Sequence, residues 1–331
     1  MGAWETESPA DPRFDPRLNA WTLSRYRDVA AALREARLIP VSAGSTTPAV
    51  PVDSAIHAEF RAQALRALAP ARLQELEERF VRLADLMASA LPTGRPVDLV
   101  EQYARPWSLR VAGIAADVPA DRCERLSGLA RRLFDAACEP YDRALAATAQ
   151  EATAELARSF HGAPPLNLQM FIALTHSLAA FLGNAWLALL EHPPELSDLR
   201  QDLSLLPKAI DELSRFAGPA KAQFRQAAAP VTIHGCAMEQ DRHVILRLDI
   251  ANRDADRFPN PDKLQFDGRS AGHLAFGTGL HACVAASLIK SAAAAATGAL
   301  LRHFHFAEHY SAVPADCFAV RYVKSLTVCF S

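Results

Sequence analysis

Among the six cysteines of this 331-residue chain, Cys283 stands apart. It follows a loop containing Gly277 and Gly279 and precedes an alanine-rich run with helical spacing. A thiol at the start of a helix receives backbone N–H groups and the positive end of the helix dipole. Both favour the thiolate, which is the form that binds metals and attacks electrophiles. The small residues around it would let a broad planar group approach the backbone closely. A structural cysteine in a tight turn fits the same residues. Zinc fits them less well, because His281 and Cys283 have no second ligand pair at the usual spacing. Glu212 and Arg215, three apart in LPKAIDELSRF, share a helical face and can form a bidentate ion pair, either buried or on the surface.

The run Phe276-Gly277-Thr278-Gly279-Leu280-His281-Ala282-Cys283 resembles the haem-binding loop, FGxGxHxC, of the cytochrome P-450 family. The likeness runs from about Trp21 to the end of the chain and follows the family's soluble bacterial members. It implies that Cys283 is the axial ligand of a haem b iron, donating electron density that favours O–O cleavage. It implies that Glu212 and Arg215 are the family's ExxR pair, with Pro219 after them and a meander in ANRDADRFPNPDKLQFD. By the same resemblance His57, Arg61, Arg225 and His281 hold the haem propionates, and Phe276 and Gly277 adjoin the cofactor. Cationic donors facing two carboxylates form charge-assisted hydrogen bonds, which accounts for those residue types. VRYVKSLTV resembles the closing hairpin.

The departures from the family bear on chemistry. Its central helix carries AGxET or AGxDT, whose acid and threonine deliver protons to the distal oxygen. The equivalent run is read here as Leu174-Thr175-His176-Ser177-Leu178, with Ser177 at the acid position and Leu178 at the threonine position. Three routes stay open: proton delivery through the substrate's own hydroxyl in a monooxygenase, a relay through Thr175, His176 or Ser177, or other iron chemistry. The last covers peroxide-driven oxidation, dehydration and rearrangement. A P-450-like accessory protein is a further alternative, against which the retained Cys283 and propionate set stand. Ala285 replaces a glycine, and Lys263 replaces a meander arginine, keeping its charge but losing the planar fork. The resemblance places Thr175, Leu178, Lys221, Ala222 and Tyr322 at substrate-facing positions. The resemblance also implies electrons from a ferredoxin and its reductase.

The elements that must position these residues are mostly helical. A short strand (WTLSRY) and a helix (DVAAALREARL) follow a leader of residues 1–20, read as partly disordered. Two helices over 57–91 meet near Pro70, and others follow over 98–118, 120–137 and 141–160. The apolar stretch from Phe171 to Leu190 is long enough to cross a membrane. Thr175, His176, Ser177 and Asn184 interrupt it, and it reads as a buried central helix. Strands over 229–235 and 243–250, a last helix over 282–303 and two short strands complete the chain. The fold class expected is mainly α with small β regions, a cytochrome P-450 fold in one domain over 21–331. Few residues separate Phe160 from the central helix, so the lid is expected to be abbreviated. The distal face is then open or covered by a partner subunit, and suited to a bulky or carrier-tethered small molecule.

Composition agrees with this reading. Half the residues are hydrophobic, and 35 basic against 37 acidic side chains give a net charge of −2. That balance argues against nucleic acid, which demands a basic excess. The start of the chain lacks the features of a signal peptide, and the cysteines form no CxxC pair, so a reduced cytoplasmic protein is expected. Gly2 and Thr6 fit a short myristoylation pattern with no polybasic segment beside it. His303, His305 and His309 resemble a metal cluster, but on a strand they would be merely solvated.

Overall fold

The computed structural model describes residues 7–41, 54–315 and 317–330. Gly2 and Thr6 lie outside them. In chain order the helices are α1 (Tyr26–Arg34), α2 (Ser54–Ala67), α3 (Pro70–Ser89), α4 (Arg105–Ala115), α5 (Ala120–Cys138) and α6 (Arg143–Ser159). They continue with α7 (Pro165–Thr175), α8 (Ser177–Leu190), α9 (Pro193–Gln201), α10 (Leu206–Ala217), the short α11 (Leu248–Ala251) and α12 (Ala286–His303). The strands are β1 (Arg13–Asp15), β2 (Ala20–Leu23), β3 (Leu38–Pro40), β4 (Pro96–Asp98), β5 (Ala222–Ala227), β6 (Val231–Ile233), β7 (Cys236–Met238), β8 (His243–Arg247), β9 (Phe306–Pro314) and β10 (Val323–Phe330). The mainly α fold with small β regions expected from the sequence is what is observed.

One sheet runs β1-β2-β8-β5-β3, with β2 and β8 parallel and the other pairs antiparallel. A second sheet, β4-β10-β9, is antiparallel and joins the end of the chain to the start of the α4 region. Residues 13–15, read from the sequence as leader, are a strand on the edge of the first sheet, where Phe14 pairs with Trp21 across the ladder. Cross-strand aromatic contact of this kind fixes a short edge strand.

The core forms where apolar helices need partners. In α8 every residue from Leu178 to Leu190 is buried, including Asn184, so the helix is apolar all round because it is surrounded by protein. That also accounts for the membrane-like stretch. The apolar segment is 26 residues long, Pro165–Leu190, and 78% of its most apolar window is buried. It starts six residues earlier than the sequence suggested, because Pro165 occupies the first turn, where a missing N–H costs nothing. The segment is not continuous. His176 (φ −114°, ψ −33°) separates α7 from α8. Only residues 160–164 carry α6 into α7, while α5 and α6 pack as an antiparallel hairpin, Arg122 of one donating to the Ser159 carbonyl of the other at 2.7 Å.

Candidate active site

The loop before α12 is shaped by two glycines and a set of backbone bonds. Cys283 N–H donates to the Phe276 carbonyl at 2.8 Å, closing a loop that Gly277 (φ +67°) and Gly279 (φ +75°) allow to turn. At Gly279 a Cβ would lie 2.9 Å from the Leu33 carbonyl oxygen, so this glycine also lets the loop rest on α1. Asn252 anchors the loop from the other side, its Oδ1 accepting from Leu274 N–H at 2.7 Å. The helix itself starts at Ala286, three residues later than Cys283, rather than at Ala282 as the sequence suggested.

Cys283 is exposed. Burial nonetheless pushes its thiol pKa up, opposed by the Ala285 N–H and by the charge of Arg61. The thiol is thus accessible and yet partly desolvated by the protein around it. A metal cation placed there would reverse the shift, since coordination deprotonates a thiol outright.

Beside the thiol the chain gathers basic groups. Arg61 on α2 donates to the Ala282 carbonyl at 2.9 Å, and the rings of His57 and His281 lie 4.6 Å apart. Arg225 on β5 is 4% exposed and bonds only neutral oxygens, its own strand's Phe224 carbonyl and Gln223 Oε1, both at 2.9 Å. Desolvation lowers its pKa to about 10. His281 is pushed down to about 4 by desolvation and then by the charges of His57, Arg225 and Arg61. Among the described residues no carboxylate pairs with any of these four groups. A buried cation without a counter-ion is costly. Four basic groups gathered beside one accessible thiol therefore fit a ligand that carries carboxylates at one edge and a metal at its centre. The donor set suits haem.

On α10, Glu212 and Arg215 form a buried pair, with Nε to Oε2 at 2.8 Å and Nη2 to Oε1 at 2.7 Å. Arg215 also donates to the carbonyls of Asn252 and Pro261, each at 2.9 Å. Lys263 does not extend the pair as the sequence suggested: its side chain is exposed, and only its carbonyl approaches Arg215, at 3.4 Å. The buried neighbour is Arg253, whose guanidinium stacks 4.1 Å from the Phe216 ring and bonds Asp262 at 2.5 Å. An arginine suits that place because its flat cation can stack and bond at once.

The distal candidates separate. Thr175 is buried and its hydroxyl donates to the Phe171 carbonyl at 2.6 Å, leaving its proton committed to the helix. His176 Nε2 bonds the Ser127 carbonyl on α5 at 3.0 Å, so Nε2 carries the proton, and burial holds the ring neutral by lowering its pKa. Leu178 is 1% exposed inside the packed core, not on a ligand-facing surface. The accessible stripe is Gln169, Ala173 and Ser177, each four residues from the next. The hydroxyl on the open face is thus Ser177, one residue before the threonine position assigned from the sequence. Lys221 and Ala222 N–H groups both approach the Ala319 carbonyl, whereas the Tyr322 ring packs in a different cluster and meets Phe134, which in turn meets His176. Ala222 itself is buried in a small cluster.

Asn184 went unread as a site residue. Its Nδ2 donates to the carbonyls of Ala217 and Arg321, at 3.0 and 2.9 Å, tying α8 to α10 and to the segment before β10. The one signal was an amide in an otherwise apolar helix. Among the described histidines near the end of α12, His303 faces Asp85 and His305 bonds Arg200, and no three His, Cys, Asp or Glu side chains among the described residues gather into a metal-binding cluster. The His309 side chain lies outside the description.

A sequence model of the family described as Cytochrome P450 matches residues 189–324. The chain is 29% identical to the vitamin D(3) 25-hydroxylase of Pseudonocardia autotrophica, over 90% of this chain and 84% of that protein. It is also 29% identical to the cytochrome P450 monooxygenase PikC of Streptomyces venezuelae, over 85% of this chain and 77% of that one. Among solved structures it is similar to P450BioI crystallised with an acyl carrier protein, with a TM-score of 0.82, 22% identity and coverage of 94% of this chain and 92% of that one.

Proposed function

The chain belongs to the cytochrome P450 family, and on that premise we propose that it is a haem-thiolate monooxygenase of the bacterial soluble type, acting on an organic small molecule in the cytoplasm. The observation that carries this reading is the accessible thiol of Cys283 beside the gathered basic groups His57, Arg61, Arg225 and His281, with which no carboxylate among the described residues pairs. Cys283 would hold the iron of haem b, and the four basic groups would hold its propionates. Bound haem supplies activation of dioxygen, with one oxygen atom going to the substrate and the other to water.

The chain's own part is to hold, orient and supply protons. Ser177 offers the hydroxyl on the accessible face of the central helix, and Thr175 does not, because its proton is already donated to Phe171. His176 is held neutral against α5, which leaves Nδ1 as an acceptor. A relay through Ser177, with substrate or water completing it, needs no acid on this helix. The relatives named above are oxygenases, which favours this reading over the accessory one. Electrons would arrive from a ferredoxin. The likeness to a carrier-protein complex supports a carrier-tethered substrate as one member of the class, and a second copy of the chain would cover the abbreviated lid.

Spectroscopy of the purified protein tests the reading. The ferrous–CO complex is expected to show the red-shifted Soret band of thiolate ligation, and Cys283→Ala to lose it while staying folded by circular dichroism. A wild-type protein that takes up no haem, or whose CO complex lacks the red shift, overturns it. Turnover that needs neither electron donor nor peroxide overturns the monooxygenase assignment alone.

A further inference from the structure

Two thiols meet where α5 ends. Cys138, the last residue of α5, is 3% exposed, and the half-buried Cys317 packs against the cluster that Cys138 forms with Ala180 and Tyr322. The two side chains thus share one cluster, and each thiol shifts the pKa of the other. Their backbones are joined as well: Ala319 N–H donates to the Cys138 carbonyl at 3.1 Å, and Phe318 N–H donates to Glu139 Oε1 at 3.3 Å. Neither cysteine is in a disulfide. Beside them the rings of Tyr141, Phe224 and Phe318 touch in turn, with centroids 5.4 to 6.3 Å apart, so the end of α5, strand β5 and residues 317–322 share one seam. The seam borders the distal groups, because Tyr322 reaches His176 through Phe134, and Lys221 Nζ donates to the Cys317 carbonyl at 2.7 Å.

We propose that Cys138 and Cys317 form a reversible disulfide latch, with hydrogen peroxide as oxidant, which fastens the end of α5 to residues 317–322 and slows ligand access to the distal side. Cys317 is the attacking thiol, being the more accessible of the two. Its sulfur takes one peroxide oxygen, the O–O bond breaks, and the first water leaves. The Cys138 sulfur then displaces the hydroxyl of the resulting sulfenic acid, the S–S bond forms, and a second water leaves. Two thiols lose two electrons and two protons, and one peroxide becomes two waters. Burial raises the pKa of both thiols, with Lys221 and Lys324 partly offsetting this at Cys317, so the reaction is slow and answers sustained peroxide only. A dithiol reductant of the thioredoxin class would reopen it.

The test uses haem-loaded protein exposed to hydrogen peroxide and digested under non-reducing conditions. Mass spectrometry is expected to find one cross-linked peptide pair, containing Cys138 and Cys317, that dithiothreitol dissolves. Cys138→Ser should abolish the pair and leave Cys317 as a sulfenic acid that dimedone traps, whereas Cys317→Ser should leave Cys138 unmodified. Association of phenylimidazole with the haem, followed by stopped flow, is expected to slow about fivefold on oxidation and to recover with dithiothreitol, as when a lid limits the rate. Both serine variants should bind the azole at the rate of the unoxidised wild type, with or without peroxide. Absence of the Cys138–Cys317 pair, or over-oxidation of Cys317 without it, overturns the latch. Formation of the pair with an unchanged azole rate overturns its gating role. The cross-link does not depend on the proposed monooxygenase activity, so failure of one leaves the other separately testable.

Discussion

Replacing Arg215 with lysine keeps the charge and removes the fork. Arg215 makes two bonds to Glu212, at 2.7 and 2.8 Å, and two to the Asn252 and Pro261 carbonyls, at 2.9 Å. Both partners of the ion pair are nearly inaccessible, at 3% and 4% side-chain exposure, so water cannot replace what is lost. A lysine ammonium is shorter, and its point charge cannot reach the carboxylate and both carbonyls together. Stranding two buried acceptors costs about 1–3 kcal/mol each, and the surviving charge recovers part of this, for a net loss of about 3 kcal/mol. Unfolding entropy is about 2.1 cal/mol/K per residue, or about 0.7 kcal/mol/K for this chain, so the melting temperature of Arg215→Lys should fall by about 4 °C. Glu212→Gln leaves the guanidinium buried without its anion, costs about 4 kcal/mol and lowers the melting temperature by about 6 °C. The double variant Glu212→Gln/Arg215→Met should cost less than Glu212→Gln and Arg215→Met added together, because it leaves no orphan charge. Asn252 also holds Leu274 of the Cys283 loop, so the single variants should release haem sooner on heating. Thermal unfolding by circular dichroism, with Arg302→Lys of the half-exposed Asp85 pair as the control, measures all of these. An Arg215→Lys protein that melts within about 1 °C of wild type would refute the reasoning.

Gly279→Ala should displace the Cys283 loop and cost more than Gly277→Ala, since both positions have positive φ but only the first drives a Cβ into backbone, 2.9 Å from the Leu33 oxygen, where the second meets backbone at 3.8 Å. Equal melting temperatures for the two would contradict this. Asp211, which faces His273 Nε2 at 3.9 Å and pairs with Lys290 Nζ at 2.6 Å, has its pKa lowered from 3.8 to about 2, so it binds fewer protons folded than unfolded. Its contribution is complete above pH 3.8 and is lost as the pH falls towards 2, so Asp211→Asn should flatten the acid limb of a stability–pH curve in that window. A limb that stays as steep assigns the acid sensitivity elsewhere. Ser177→Ala should divert reducing equivalents from product, raising NAD(P)H consumed per product, whereas Thr175→Val should not, because the Thr175 proton is already bound to Phe171. The reverse pattern would move the relay to Thr175.

What could be read in the sequence was what chemistry packs closely along the chain. The Cys283 loop is eight residues of constrained types, and Glu212 with Arg215, or His57 with Arg61, are partners at one helical turn. Arg225 joins His57, Arg61 and His281 only because β5 lies between β8 and β3, and that strand was missed: AQFRQA has no clear alternation for a two-residue period to reveal. The choice between Lys263 and Arg253 was likewise beyond local reading. Both are cations in one irregular segment, and only the folded meander decides which is stacked on Phe216 and which is left in water.

The one-residue slip on the central helix follows from its composition. From Phe171 to Leu190 the chain carries no charge and no proline, so nothing in it marks which face turns inward. In a helix one residue is a rotation of about 100°, enough to exchange a packed face for an open one. Burial supplies the missing marker. Leu174, Thr175 and Leu178 are each at most 2% exposed, which fixes the packed side, and Ser177 must then face outward from it with Ala173. The break at His176 strengthens the assignment, because a ring bonded to Ser127 on α5 holds the two half-helices in that rotation. The proton-carrying group on the open face is thus set by which neighbours the helix packs against, and Ser177 holds that place because Leu178 is needed in the core.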